Sequence, residues 1–209
     1  KNLRRTMLSS AAMLSCTSAA VAFTPGGKAF VKTIPGSTAP FGFFDPLGLT
    51  PESVEDVKLF REAELTHGRV AMMAAAGFLL QESFHPIFPS INGPAINQLG
   101  QCDLATGIGL LTPIFLSEML RATKGWVEPN FSTPDSQART IRMLRSDYKP
   151  GDLGLDLTGN KPKGAWADAT TGEWADWQNK ELNNGRLAMI AVAGMVGQEL
   201  ATGSGIFGA

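Results

Sequence analysis

The chain has 209 residues, a formal net charge of −1 at pH 7, and two cysteines, Cys16 and Cys102. Without a strongly basic field it is poorly suited to nucleic acid, and two cysteines make no disulfide framework. Its near-zero mean hydropathy averages two populations, apolar runs and connectors rich in Lys and Arg.

In chain order, residues 1–22 read as a targeting segment expected to be removed. Lys1, Arg4 and Arg5 form a basic flank, an apolar small-residue stretch follows, and Ala20-Val21-Ala22 resembles an A-x-A cleavage signal. Residues 23–50 form an N-terminal arm. Its first part, to Gly42, is punctuated by Pro25, Gly26, Gly27, Pro35, Gly36 and Pro40 and is expected to be irregular. The arm ends in an Asp45-Pro46-Leu47-Gly48 element, apolar around it but interrupted by Pro and Gly. Thr50 then suits an N-cap and Pro51 a first helical position, with Glu52, Glu55 and Asp56 at the positive end of the helix dipole. A first helix is expected over 51–84, on the order of 50 Å long and so longer than a ~30 Å hydrocarbon core.

A loop over 85–101 contains no Lys, Arg, Asp or Glu. A second helix over 102–121 is apolar but carries Gly107, Gly109 and Pro113, which predicts a kinked span. The connector 122–170 is polar, and Asp152 to Gly159 reads as a decayed copy of the Asp45-Pro46-Leu47-Gly48 element. Thr170-Thr171-Gly172-Glu173 offers a capping box for a third helix over 171–202, with a tail at 203–209. Lys and Arg are missing from the first loop and the tail, so these face one compartment, with the N-terminus and connector on the other side. The fold expected is an all-α membrane protein with three transmembrane helices. Its first and third helices would cross, related by a pseudo-two-fold along the membrane normal.

That relation comes from an internal repeat. Residues 64–82 and 181–199 are identical at eleven of nineteen positions. Each copy opens with a carboxylate and, five residues on, a guanidinium: Glu64 and Arg69, Glu181 and Arg186. Five residues turn a helix by roughly 500°, so the two charges of one copy diverge. Crossed helices let Glu64 meet Arg186 and Glu181 meet Arg69. One face of each copy continues in small residues, Gly68, Ala71 and Ala75 against Gly185, Ala188 and Val192. This is either a packing seam or room for a flat ligand. Beside each Glu stands a neutral Lewis base one turn on, His67 or Asn184, and Gln81 and Gln198 recur at the far end. A magnesium held in a macrocycle needs one axial ligand and accepts oxygen or imidazole nitrogen. A glutamate serves if one oxygen ligates while the other accepts an arginine N–H.

These residues resemble the first and third helices of the light-harvesting chlorophyll-binding family, from about Phe43 to Gly203. The phrases at 44–49, 148–154 and 180–189 are most similar to fucoxanthin–chlorophyll a/c proteins. Ala22-Phe23-Thr24-Pro25 likewise resembles the import junction of plastids of red-algal secondary origin. The resemblance implies a non-enzymatic antenna in the plastid thylakoid membrane, multi-pass, with N-terminus stromal and C-terminus lumenal. Its cofactors would be chlorophyll a, chlorophyll c and fucoxanthin or diadinoxanthin-type xanthophylls. A photosystem core (I or II), neighbouring antenna subunits and thylakoid lipids would be its partners. It implies magnesium ligation by Glu64, His67, Glu118, Glu181, Asn184 and Gln198, with Gln81 and His85 as further candidates. Arg186, Arg69 and Arg121 would support Glu64, Glu181 and Glu118. Asp45, Pro46, Leu47 and Gly48, and Asp156, Leu157 and Gly159, would cradle carotenoid ends. Leu157 stands where the pattern expects Pro, and Leu110 where the family often has Gln. The alternatives are a photoprotective quencher of the same family and a small membrane transporter. Against a pH-sensing role speaks the lack of charged residues in 83–101.

Overall fold

The computed structural model describes residues 26–83, 91, 93–128, 143–154 and 173–207. Among them the architecture is all helical: α1 (Gly27–Thr33), α2 (Val54–Ser83), α3 (Ala95–Gln98), α4 (Leu104–Gly125) and α5 (Glu173–Thr202). A 3-10 turn, Leu99–Gln101, follows α3. No strand occurs among the described residues, only isolated bridges between Thr38 and Gly42 and between Trp126 and Leu144.

The core is the seam between α2 and α5. Gly68 and Gly185 face each other so closely that a Cβ on Gly68 would lie 3.1 Å from the Gly185 Cα. Ala71 and Ala188, one turn on, are also buried. Small residues let the backbones approach, which a larger side chain at either glycine would prevent. Further along, Glu82 lies beside Glu199. Gly68 meets Gly185 and Glu82 meets Glu199 in the same order, so the two helices run in the same direction.

Three readings of the sequence are corrected. The arm is not irregular throughout, because α1 forms within it. The Gly27 N–H donates to the Glu52 carbonyl at 2.7 Å, and Gly27 is buried against the start of α2. Thr50 and Pro51 do not open the first long helix, which begins at Val54. Thr50 is engaged elsewhere, its hydroxyl donating to Asp45 Oδ2 at 2.7 Å, and the Ser53 carbonyl accepts the first helical N–H, that of Val57. The loop before α4 is also not wholly irregular, since it holds α3 and the 3-10 turn.

Leu104–Gly125 is, among the described residues, the one helix long and apolar enough by hydropathy to cross a membrane. Its N-terminus is capped by Asp103, which accepts from the Ala105 N–H, and Pro113 lies inside it. Leu104, Ile108, Leu111, Phe115 and Leu116 are exposed along its length. α2 and α5, with 30 residues each, are about 45 Å long. Their polar first halves lower their mean hydropathy.

Candidate functional site

Both crossed ion pairs are present at the helix crossing. Arg186 Nε donates to Glu64 Oε1 at 2.8 Å, and Arg69 Nε donates to Glu181 Oε1 at 2.7 Å. These distances are those of strong charge-assisted bonds. The two carboxylates are nevertheless unequal. Glu64 Oε2 also accepts from Arg61 Nη1 at 2.9 Å, so neither of its oxygens is free of a guanidinium. Each oxygen keeps a second lone pair. On Glu181 the arginine engages Oε1 alone among the described side-chain bonds. The cause is in the sequence: the repeat partner of Arg61 is Gln178.

Segments outside the helices are tied to the same crossing. The Gly36 N–H donates to Asn179 Oδ1 and the Gly151 N–H to Glu62 Oε2, both at 2.7 Å. Glu62 and Asn179 are repeat partners. Gly36 and Gly151 both follow a proline and both have positive φ, 120° and 82°. A side chain at either would be strained by that φ and would have to displace the Arg61 guanidinium at Gly36 or Leu65 at Gly151. Arg186 Nη1 also donates to the Gly36 carbonyl at 2.8 Å. The repeat thus extends beyond the two helices into the chain that covers them, which the helix identities alone did not reveal. Arg61, Glu62, Asn179 and Tyr148 were missed by the sequence reading. The one sequence signal was the shared Pro-Gly at 35–36 and 150–151.

On α4, Arg121 grips Glu118 through two nitrogens, Nε at 2.9 Å and Nη2 at 2.6 Å from Oε2. His67 is exposed with Nδ1 2.7 Å from the Ala63 carbonyl. A proton on Nδ1 satisfies that contact and leaves the Nε2 lone pair pointing outward. Asn184, Gln198 and Gln81 are likewise exposed. His85, Asp156, Leu157 and Gly159 lie outside the described residues, as does the expected capping sequence at 170–172.

In the arm, Asp45 accepts from the Leu49 N–H at 2.9 Å and the Thr50 N–H at 3.1 Å, closing a turn in which Gly48 has φ 67°. The Thr50 hydroxyl first, then the Leu49 amide, holds the Asp45 carboxyl below the usual carboxylate range. Pro46 sets the turn, and Leu47 and Leu49 project into solvent. A cavity of about 800 Å³ opens between this turn and the crossing, lined among others by Phe41, Phe44, Phe60, Arg61, Glu64 and Arg186. It joins a charge-compensated carboxylate to apolar walls.

At the opposite end of the crossed helices, Glu199 is 2 % exposed. Its Oε2 accepts from the Ile96 N–H at 2.9 Å, and Glu82 Oε2 accepts from the Phe207 N–H at 3.2 Å. The Oε1 atoms of both are buried without a partner. Glu82 falls just before the uncharged loop, so the reading of residues 83–101 overlooked this pair.

A fit to a magnesium macrocycle can be judged from the donors. Three carboxylates, Glu64, Glu181 and Glu118, each have their charge offset by arginine while keeping lone pairs. The apolar surfaces around them, on α4 above all, are too extensive for a water-exposed monomer. Donor chemistry and bare apolar walls both suit such a group.

Comparison with known proteins agrees in kind. Residues 30–200 match the family described as chlorophyll A-B binding protein. The chain is 44% identical over 187 residues to the light-harvesting complex stress-related protein 1, chloroplastic, of Chlamydomonas reinhardtii, covering 86% of this chain and 69% of that protein. It is 42% identical over 175 residues to the fucoxanthin-chlorophyll a-c binding protein, chloroplastic, of Isochrysis galbana, covering 83% and 79%. A chlorophyll a-b binding protein, chloroplastic, of Petunia hybrida is 32% identical over 191 residues, covering 82% and 66%.

Proposed function

The chain belongs to the chlorophyll A-B binding family, whose members are light-harvesting, pigment-binding antennas and not enzymes, and on that premise we propose that it is a thylakoid antenna passing excitation to a photosystem. One observation carries the reading: Glu64–Arg186 and Glu181–Arg69 close reciprocally across a glycine contact, on helices whose apolar surfaces are left bare. α2, α4 and α5 would span the membrane, with α2 and α5 related by a two-fold along its normal. The N-terminus would be stromal and the C-terminus lumenal.

Glu64, Glu181 and Glu118 would hold chlorophyll magnesium through carboxylate oxygen, with Arg186, Arg69 and Arg121 keeping each carboxylate neutralised and aimed. His67 would ligate through Nε2, and Asn184, Gln198 and Gln81 through their amide oxygens. The turn at Asp45-Pro46-Leu47-Gly48 would seat a xanthophyll end, and Asp156, Leu157 and Gly159, its counterpart in sequence, would seat another. Bound pigments supply the absorption and the excited-state transfer, and the chain's own residues fix their spacing and exclude water. Chlorophylls a and c with fucoxanthin are the expected set, by likeness to the Isochrysis galbana protein, and diadinoxanthin-type xanthophylls are the alternative carotenoids. The binding partners would be a photosystem I or II core, neighbouring antenna subunits and thylakoid lipids.

Similarity to a stress-related protein at 44% identity favours a second reading, a photoprotective quencher of the same family. Purification followed by an absorption spectrum tests the pigment-binding proposal, and a colourless, folded protein refutes it. Fluorescence lifetime of the isolated, pigment-loaded protein separates the two readings. A long lifetime identifies the antenna, a strongly shortened one the quencher.

A further inference from the structure

The repeat is broken at one buried position in a way the two crossed sites do not need. Glu62 and Asn179 do the same local work, each accepting a glycine N–H. An amide oxygen suffices for that, as Asn179 shows. Yet Glu62 is a carboxylate, only 2 % exposed. Its Oε2 also accepts from the Tyr148 hydroxyl at 3.0 Å, and the ion pair that offsets its charge is Arg121 of α4, with Nη1 3.6 Å from Oε1. Tyr148 in turn packs on α4, because a Cβ at Gly125 would meet its ring at 3.0 Å. Arg121 Nη1 also donates to Thr66 Oγ1 of α2 at 3.2 Å. Beyond this hub the apolar length of α4 is bare.

We propose that Glu62 is the positioning residue for α4. By drawing Arg121 toward α2, it sets how far the ligand Glu118 stands from the crossed pair. The inference rests on the antenna reading for its consequence, which is the coupling between the pigment at Glu118 and those at Glu64 and Glu181. Geometry gives the reason. Arg121 is shared between Glu118, which it grips at 2.6 Å, and Glu62 on the neighbouring helix. One guanidinium therefore both neutralises the ligand and tethers its helix. Asn179, lacking a charge, forms no ion pair to another helix among the described residues. The carboxylate at this position of the repeat, where the other copy has an amide, then has a cause.

The test uses Glu62→Gln in the full chain, loaded with pigment. Glutamine keeps an acceptor for Gly151 but removes the charge that attracts Arg121. Nitroxide labels at Lys58→Cys and Lys124→Cys, with Cys16 and Cys102 replaced by Ser, read the α2–α4 distance directly. We expect that distance to lengthen and broaden in Glu62→Gln and to return in Glu62→Asp. Excitation transfer from the Glu118 pigment should slow and its circular-dichroism couplet weaken, at unchanged pigment content. An unaltered distance distribution and transfer rate would overturn the proposal. If Glu62→Gln fails to fold, Arg121→Lys, which keeps a cation beside Glu118 but lacks the fork that also reaches Glu62 and Thr66, reads the same label distance, and an unaltered distribution there overturns the proposal. A wild-type chain that takes up no pigment would instead defeat the antenna reading, while the label distances would still judge the tether.

Discussion

Replacing Gly68 by alanine sets two effects of opposite sign against each other. In an open helical position the change stabilises by about 1 kcal/mol, because alanine is the better helix former. Here the new methyl would lie 3.1 Å from the Gly185 Cα and 3.6 Å from its carbonyl carbon. Carbon atoms rest at about 3.5–4.0 Å, so the helices must part by roughly 0.4–0.9 Å. The ion pairs on either side of the contact, at 2.7 and 2.8 Å, then leave the range of strong charge-assisted bonds. Overpacking costs about 1–3 kcal/mol, so the clash outweighs the propensity gain and the net change is destabilising by about 1 kcal/mol. Gly68→Ala with Gly185→Ala should cost more than the sum, by about 0.5–3 kcal/mol, since each methyl lands on the other. Loss of pigment-induced circular dichroism on heating the loaded protein measures both. A stabilised single mutant with an additive double mutant would refute the packing argument.

Glu64→Gln should destabilise more than Glu181→Gln, because it strands two guanidinia, Arg61 and Arg186, where the latter strands Arg69 alone. A difference of about 1–3 kcal/mol is expected, read as retained pigment and thermal midpoint. Glu199→Gln should raise the thermal midpoint, since it leaves one carboxyl where two lie side by side in a buried site while the amide oxygen still accepts from Ile96; a lowered thermal midpoint would contradict this. Asp45 is depressed in the folded state, so its contribution to the arm is complete above its ordinary value of 3.8. It is lost as pH falls through the lower folded value. Proteolysis of the arm should accelerate only in that acid window, and Asp45→Asn should remove the dependence.

The sequence by itself determined the paired motif and what it demands. Two charges five residues apart on an apolar helix cannot meet each other, so they require a second copy, and the chain carries one. It also located three long helices, because periodicity and breakers act locally. It misplaced the start of α2 because a threonine hydroxyl has two available partners. The carboxylate of Asp45, five residues upstream in the preceding turn, outcompeted the helix for Thr50. It missed α1, whose glycine-rich start is stable only where Gly27 docks on Glu52. Tertiary structure alone decided that Arg186, besides pairing with Glu64, holds the Gly36 carbonyl of the arm. It alone brought Tyr148 and Gly151 to Glu62, residues 86 and 89 positions away. A buried carboxylate chooses partners by proximity in three dimensions and by the cost of leaving its charge unmatched, and neither quantity is written in the local sequence.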